Sequence, residues 1–374
     1  MLIPTRDRCQ TLGSTIRSCL AQDYADLRIV VSDNCSDDDT AAVVAGFDDP
    51  RLRYVRTPRR LSMTGNFEFS LSLVEDHDAY VMHIGDDDGL ILDGAAQAAG
   101  IIRETGTRAV NSAHAVYHWP SSLYPNYANR LIMPLGRGYH HVSGLSAARD
   151  VMAFRRGYAF LPSTYTGFIA KSVIDAVAAG GAYYASITPD SYSGFANAGI
   201  LERYVYARRP FAIAGLSGRS NGGSNVTTGD SSEANRYLAE NDLPTHTDVV
   251  YCPKSIPLVV AEAFLQARDR VPRLGAIDFD ANRLCRVALR DVAPENYAAV
   301  RNAVAQMVQQ HGLKLNVPTA PTRGQAFARG IDRTLLRVRR LRESYRRIDA
   351  AAQGVTDVAG AGRLANELLG KAGA

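Results

Sequence analysis

Short apolar runs and longer segments of mixed character alternate along the first ninety residues. The apolar runs at 27–33, 52–57 and 78–84 are rich in β-branched and aromatic side chains, which is typical of buried strands. Three other segments have apolar residues at helical spacing. Strands that alternate with helices predict an α/β fold with a mostly parallel, Rossmann-like sheet flanked by helices. The helical positions are Leu12, Ile16, Cys19 and Leu20 in the first segment, residues 40–47 in the second, and Phe67, Leu71 and Val74 in the third.

The pattern changes after residue 240, where apolar residues keep helical spacing. Residues 256–271 and 296–312 are amphipathic by this spacing and predict two helices. We therefore expect a helical C-terminal extension after the α/β domain. The expected boundaries are 1–232 for the α/β domain, with halves 1–92 and 93–232, and 233–374 for the extension.

Composition and charge bound the class of protein. Apolar residues make up 46% of the 374 residues, which is enough to bury a full core. The net charge of +4 is too small to indicate a nucleic-acid partner. Five scattered cysteines without a CxxC pair predict neither a disulfide framework nor a zinc site, and they fit reduced thiols in the cytoplasm. No apolar stretch reaches the roughly 18 to 20 residues of a membrane span, so we expect none.

Three consecutive aspartates, Asp86, Asp87 and Asp88, directly follow the predicted strand at 78–84. Adjacent carboxylates repel one another and resist burial unless a cation accompanies them. Mg²⁺ and Mn²⁺ prefer such oxygen ligands and complete their coordination with phosphate oxygens and water. Because ligands bind at the carboxyl ends of strands in open α/β sheets, the triplet predicts a metal and phosphate site. The alternative is a solvated turn.

Two further polar segments follow strands at the same predicted edge. The turn IPTRDR (3–8) comes after a short first strand, and Asp33 ends the second strand. We expect both to meet the aspartate triplet in one cleft. The acids at 37–39 are explained equally well by a turn with a helix N-cap.

Four segments resemble the family-2 glycosyltransferases with the GT-A fold in their order and spacing. The resemblance covers about the first ninety residues, and the segments are IPTRDR, SCLAQDYADLRIVVSDNCSDDDT, GNFEFSLS and IGDDDGL. It implies an inverting, metal-dependent transfer of a sugar from a nucleotide-sugar donor to an acceptor hydroxyl. A UDP-sugar is the donor we favour, with Mn²⁺ or Mg²⁺ as the metal. Residues 1–92 would then form the donor half and 93–232 the acceptor half.

The resemblance also implies roles for single residues. Two registers of the aspartate motif stay open: Asp86 or Asp87 faces the ribose or sugar, while Asp88, joined by Asp86 in one register, holds the metal. The residues that would border the nucleoside are Pro4, Thr5 and Asp7, with Asp33 accepting a hydrogen bond from the base.

Inverting transfer needs a general base for the acceptor hydroxyl. Similar enzymes have an acid at the start of a helix on the acceptor side, and Asp190 in SITPDSYSGFANAGI (186–200) is in that place. The alternative is that Asp190 only begins the helix. The positive end of a helix lowers the pKa of a carboxyl and weakens it as a base, an effect that burial against Tyr192 or Phe195 would offset.

Two segments between these sites have less specific compositions. Residues 217–232 are rich in Gly, Ser and Asn, which favours a mobile loop; we hypothesise a lid over the donor, with Arg219 on the diphosphate. In the aromatic segment 114–131, Tyr117, Trp119 and Tyr124 either form an acceptor platform or fill the core.

The Arg-rich segment 321–349 has one apolar stripe at helical spacing. Three interpretations stay open: a helix docked on its own domain, a homodimer seam, or a peripheral anchor on the inner face of a membrane. An anchor would suit an enzyme that builds polysaccharide or surface glycan on a glycan or lipid-linked glycan acceptor. The stripe consists of Ile331, Leu335, Val338, Leu341, Tyr345 and Ile348.

Two other functions are weighed against glycosyl transfer. A sugar-phosphate nucleotidyltransferase usually begins with a Gly-rich phosphate loop, and IPTRDR has no glycine. A non-catalytic carbohydrate-binding protein is the alternative from a different class.

Overall fold

The computed structural model describes residues 1–220, 237–322 and 345–371. Its first ninety residues form a parallel three-stranded sheet with a helix after each strand. The sheet continues toward the aspartate triplet, because Leu2 pairs in parallel with His83. The elements are β1 (Leu2–Thr5), α1 (Cys9–Leu20), β2 (Ile29–Asp33), α2 (Thr40–Ala45), β3 (Leu52–Arg56) and α3 (Met63–Leu71), and the strand order is β1-β2-β3.

These elements follow from the burial of their apolar faces. Strands β1 and β2 are buried along their whole length, and they are apolar at Leu2, Ile3 and residues 29–31, before their polar carboxyl ends. Helix α1 turns Leu12, Ile16 and Cys19 toward this sheet, and each is 0% exposed. Ser62 caps α3, where its Oγ accepts a hydrogen bond from the Gly65 amide at 2.9 Å. The α/β class predicted for a GT-A glycosyltransferase is confirmed.

Two five-stranded sheets of mixed direction complete the α/β part. Most of their described pairs are antiparallel, and two pairs are parallel, Ala109–Ser112 with Arg203–Ala207 and Ala115–His118 with Ala212–Leu216. The parallel arrangement is thus concentrated in the N-terminal sheet. The sheet orders are β4-β10-β6-β11-β9 and β13-β8-β7-β12-β5, with β4 (Tyr80–Val81), β5 (Gly89–Leu90), β6 (Ala109–Ser112), β7 (Ala115–His118), β8 (Arg130–Pro134), β9 (Tyr139–Ser143), β10 (Phe168–Ala170), β11 (Arg203–Ala207), β12 (Ala212–Leu216) and β13 (Tyr345–Asp349).

The predicted C-terminal helices are present and share a core with the α/β part. Phe195 of α7 packs edge to face against Phe264 of α8, with ring centroids 5.3 Å apart. The predicted boundary between residues 232 and 233 lies outside the described residues and stays a prediction. The helices are α4 (Gly94–Thr105), α5 (Gly144–Met152), α6 (Lys171–Ala178), α7 (Pro189–Ile200), α8 (Ile256–Arg270), α9 (Ala281–Asp291), α10 (Tyr297–Gln310) and α11 (Val358–Lys371).

The end of the chain returns to the α/β part. Residues 345–349 were predicted as helix, but they form β13 because the edge of β8 offers unpaired backbone groups to an antiparallel neighbour. Helix α11 then packs on α1 and β5. A Cβ on Gly362 would come within 2.3 Å of the Leu90 carbonyl oxygen, so the two backbones are in close contact. The rest of the Arg-rich stripe, at 323–344, lies outside the described residues.

None of the described helices has the length and apolar character needed to cross a bilayer.

Candidate active site

A cavity of about 400 Å³ lies where the loops after β1, β2 and residue 84 meet. Its size is in the ordinary range for a small-molecule site. The acceptor-side helix α7 contributes its N-terminus to the same cavity. The sequence-predicted residues that line it are Pro4, Thr5, Asp86, Asp87, Asp88 and Asp190.

Asp33 is not among the lining residues, whereas its neighbour Asn34 is. The Asp33 side chain is 0% exposed and its carboxylate is held from inside the protein. Oδ1 accepts from the Ser36 amide at 2.9 Å and Oδ2 from the Tyr54 hydroxyl at 2.5 Å. In this arrangement Asp33 shapes the turn below the cleft, and its contact with a nucleoside base stays a prediction.

Asp7 and Arg219 lie together beside the cavity without lining it. Asp7 has a left-handed backbone, φ 53°, and its Oδ2 accepts from Arg60 at 3.0 Å. Arg219 donates from Nη1 to the Asp7 carbonyl oxygen at 2.8 Å. This contact joins the loop after β12 to the loop after β1. Most of the predicted lid, residues 221–232, lies outside the described residues.

The three aspartate side chains of the triplet have different partners. Asp88 is 1% exposed, and its Oδ1 accepts from the Gly215 amide at 2.7 Å. Its Oδ2 accepts from the Gly85 amide at 3.0 Å and from the Tyr165 hydroxyl. Asp88 is therefore held rigidly, with about one of its four lone-pair positions left over.

Asp87 connects the triplet to the end of β12. Its Oδ2 accepts hydrogen bonds from the hydroxyls of Ser217 at 2.6 Å and Ser220 at 2.5 Å. Its main-chain oxygen accepts from Trp119 Nε1 at 2.8 Å. Asp87 thus fixes the loop that carries Arg219, and its predicted contact with the donor stays a prediction.

Asp86 faces the loop after β1. Its Oδ2 accepts from the Thr5 hydroxyl at 2.7 Å, and its Oδ1 is 3.8 Å from Arg8 Nη1. The pKa of both Asp86 and Asp88 is raised, first by burial and then by the charge of Asp87. At Asp86 the positive charge of Arg8 acts in the opposite direction and lowers the pKa.

The carboxylate oxygens of the triplet are the candidate ligands for a divalent cation. No group of three or more His, Cys, Asp or Glu side chains in the described part of the chain is arranged to hold a metal ion by itself. Mg²⁺ is usually held by one or two carboxylates together with substrate phosphates and water. Asp86 and Asp88, both oxygen donors beside one cavity, fit such a site.

Asp190 is the second residue of α7, after Pro189, and it lines the cavity. Burial raises its pKa although backbone amides at the helix start act in the opposite direction. Tyr192 and Phe195 are both 0% exposed and do not line the cavity, so their predicted packing against Asp190 stays a prediction. Tyr158 lies on the cavity side instead, and the charge of Asp190 raises its pKa.

Several lining residues were not predicted. Arg6 and Arg8 stand inside IPTRDR, so their charge was visible in the sequence. Tyr158 and Tyr165 gave no signal, because their place depends on long-range packing. Of the predicted aromatic platform, Tyr117 and Trp119 are buried in the core, at 0% and 6% exposure, and do not line the cavity.

Residues 1–149 match the family model described as Glycosyl transferase family 2. The match lies in the N-terminal part of the chain and ends before the middle of the sequence. The matched segment includes the aspartate triplet and both loops that meet it. Asp190 and the C-terminal helices lie beyond it.

A curated relative from Campylobacter jejuni is 33% identical over 93 residues. It is named GalNAc(5)-diNAcBac-PP-undecaprenol beta-1,3-glucosyltransferase. The match covers 24% of this chain and 30% of the relative, so it spans less than a third of either protein.

Two solved structures are similar to this chain at low identity. A crystal structure of an S. aureus TarS fragment in complex with UDP-GlcNAc is 14% identical, with a TM-score of 0.48, and the alignment covers 85% of this chain and 80% of that one. A mannosyltransferase from Pyrobaculum calidifontis in complex with GDP-Man and Mn²⁺ is 13% identical, with a TM-score of 0.45, over 98% and 85% of the two chains. Likeness at this level supports no inference about the ligands of this chain.

Proposed function

We propose that the protein is an inverting glycosyltransferase that moves a sugar from a nucleotide-diphosphate sugar to an acceptor hydroxyl. The observation that carries the proposal is a single cavity lined by both the aspartate triplet and Asp190. The triplet lies in the segment that matches the glycosyl transferase family 2 model, which supports the proposal. A UDP-sugar is the donor we favour.

The donor side would hold the leaving group. Asp88 and Asp86 would bind Mn²⁺ or Mg²⁺, which as a Lewis acid neutralises negative charge on the diphosphate. The Gly85 and Gly215 amides and the Tyr165 hydroxyl fix the Asp88 carboxylate before any ligand arrives. Such pre-organisation avoids reordering the site during the reaction.

The acceptor side would supply the base. The acceptor oxygen attacks the anomeric carbon, the bond from that carbon to the diphosphate breaks, and Asp190 takes the hydroxyl proton. Since a single displacement occurs on one face, the configuration inverts. The raised pKa of Asp190 makes its carboxylate a stronger base than an exposed aspartate.

The acceptor class is a glycan or lipid-linked glycan, in polysaccharide or surface-glycan synthesis. The name of the curated relative supports this choice, although the match is short. The proposals of a homodimer and of peripheral membrane contact in the cytoplasm rest on the sequence of 321–349 alone. No described contact favours a nucleotidyltransferase or a binding protein without turnover.

The first test is a panel of nucleotide sugars, UDP- and GDP-linked, assayed for release of the nucleoside diphosphate with Mn²⁺ and with EDTA. We expect release with one donor class, and Asp190→Asn should slow it about 10²- to 10⁴-fold while nucleotide affinity stays unchanged. Asp175→Asn, on the surface of α6, serves as the control. A wild-type protein that binds neither UDP nor GDP would refute the proposal.

A further inference from the structure

Arg8 lines the cavity, and in the described part of the chain its guanidinium has only a distant charged partner. It precedes α1, lines the cavity beside the triplet, and its side chain is only 11% exposed. Within the described residues, no hydrogen bond from its guanidinium is present. Its one ion pair, to Asp86 Oδ1, is 3.8 Å long. Hydrogen bonds between arginine and carboxylate are about 2.7–2.9 Å long, so no described residue takes up any of the five N–H donors of Arg8.

Neighbouring contacts explain why the Arg8 guanidinium and the Asp86 carboxylate stay apart. Asp86 does not close on the guanidinium, since the Thr5 hydroxyl holds its other oxygen at 2.7 Å. The neighbouring arginine in the same turn differs: Arg6 Nη1 lies 2.6 Å from Glu240 Oε2, so its charge is already paired. The two cavity arginines therefore differ in charge pairing, because Arg6 has a carboxylate at close range and Arg8 has only the longer pair with Asp86 among the described residues.

We propose that Arg8 binds the diphosphate of the nucleotide-sugar donor, a role that rests on the proposed function. The planar guanidinium donates two parallel N–H bonds to phosphate oxygens. When the bond between the sugar and the diphosphate breaks, the electron pair stays on the departing oxygen. The fixed charge of Arg8 stabilises that oxygen beside the carboxylates of the triplet.

Calorimetric titration separates the diphosphate from the rest of the nucleotide. Wild type, Arg8→Gln and Arg8→Lys are titrated with the nucleoside diphosphate that the wild type binds, UDP or GDP, and with the matching nucleoside, in EDTA and in Mn²⁺. We expect Arg8→Gln to lose diphosphate affinity by about tenfold or more under both conditions. Nucleoside affinity should stay unchanged, and Arg8→Lys should recover part of the loss.

The matched control is Arg53→Gln, because Arg53 is a half-exposed surface arginine of β3; it should bind as the wild type does. Equal loss of nucleoside and diphosphate affinity in Arg8→Gln would overturn the inference, since the residue would then only shape the loop. Unchanged diphosphate affinity would also overturn it. If the wild type binds neither UDP nor GDP, the proposed function itself fails first.

Discussion

The hydroxyl of Tyr165 donates a hydrogen bond to Oδ2 of Asp88, across 77 positions of the chain. The contact depends on Gly85, because a Cβ there would lie 2.6 Å from the tyrosine oxygen. The next residue, Thr166, has a left-handed backbone with φ 62°. Such a conformation is costly for a β-branched residue and persists only where the surrounding structure imposes it.

Tyr165→Phe removes this donor and leaves Asp88 with two backbone amides. We expect the free energy of unfolding to fall by about 1–3 kcal/mol, the usual range for a hydrogen bond to a charged group. Turnover should fall as well, since the carboxylate is then less firmly held. Tyr127→Phe removes a hydroxyl from a more exposed tyrosine and should change neither quantity. Denaturant unfolding of both variants provides the measurement, and equal stability would contradict the role given to Tyr165.

The raised pKa of Asp190 predicts the acid limb of the reaction. A base acts only when deprotonated, so turnover should rise with pH through the raised pKa, above the usual carboxyl value of about 4. Rates of nucleotide release from about pH 4 to 8 at saturating donor measure this limb. If turnover instead rises with pH at the pKa of an exposed carboxyl, burial does not control the protonation of Asp190.

The raised pKa of Asp86 predicts how the free energy of unfolding depends on pH in the absence of ligands. Burial raises its pKa in the folded state, so its contribution to stability is fully present below the unfolded pKa and is lost as pH rises through the folded pKa. Asp86→Asn should therefore stabilise the protein relative to wild type by about 1–3 kcal/mol near neutral pH and much less near pH 4. Melting curves at the two pH values test this. Asp76→Asn, at a fully exposed carboxylate, should show no such difference.

The tight packing around Gly215 predicts that any side chain at this position would clash with the backbone of the triplet. A Cβ at this position would lie 1.7 Å from the Asp87 carbonyl oxygen and 2.8 Å from Trp119 Nε1. Gly215→Ala should cost about 1–3 kcal/mol or more, because backbone has to move. Gly100→Ala in α4 has no atom within 4 Å of its new methyl group and should stabilise the protein by about 0.5–1 kcal/mol through helix propensity. Thermal unfolding of the pair separates the clash from the general effect of the substitution.

Local pattern was enough to predict the first sheet and the C-terminal helices. Leu12 and Ile16 are spaced as on one face of a helix, and the apolar run that ends at Asp33 is typical of a buried strand. Both patterns can be recognised from a few neighbouring residues. The placement of Tyr165 and Tyr158 required packing over long sequence separations. The prediction of a helix at 345–349 was wrong. The spacing of its apolar residues is helical, and the pairing of this segment with the edge of β8 cannot be seen in the local sequence.

The contact of Gly362 with Leu90 joins the C-terminal segment to the backbone beside the aspartate triplet. Strand β5 begins at Gly89, directly after Asp88, so the segment at 345–371 supports the backbone that emerges from the triplet. A shortened protein that ends near residue 320 would therefore lose the packing that supports the backbone beside the triplet, in addition to the basic segment. Charge-neutralising substitutions between 323 and 344 are the cleaner way to ask whether that stretch recruits the enzyme to lipid.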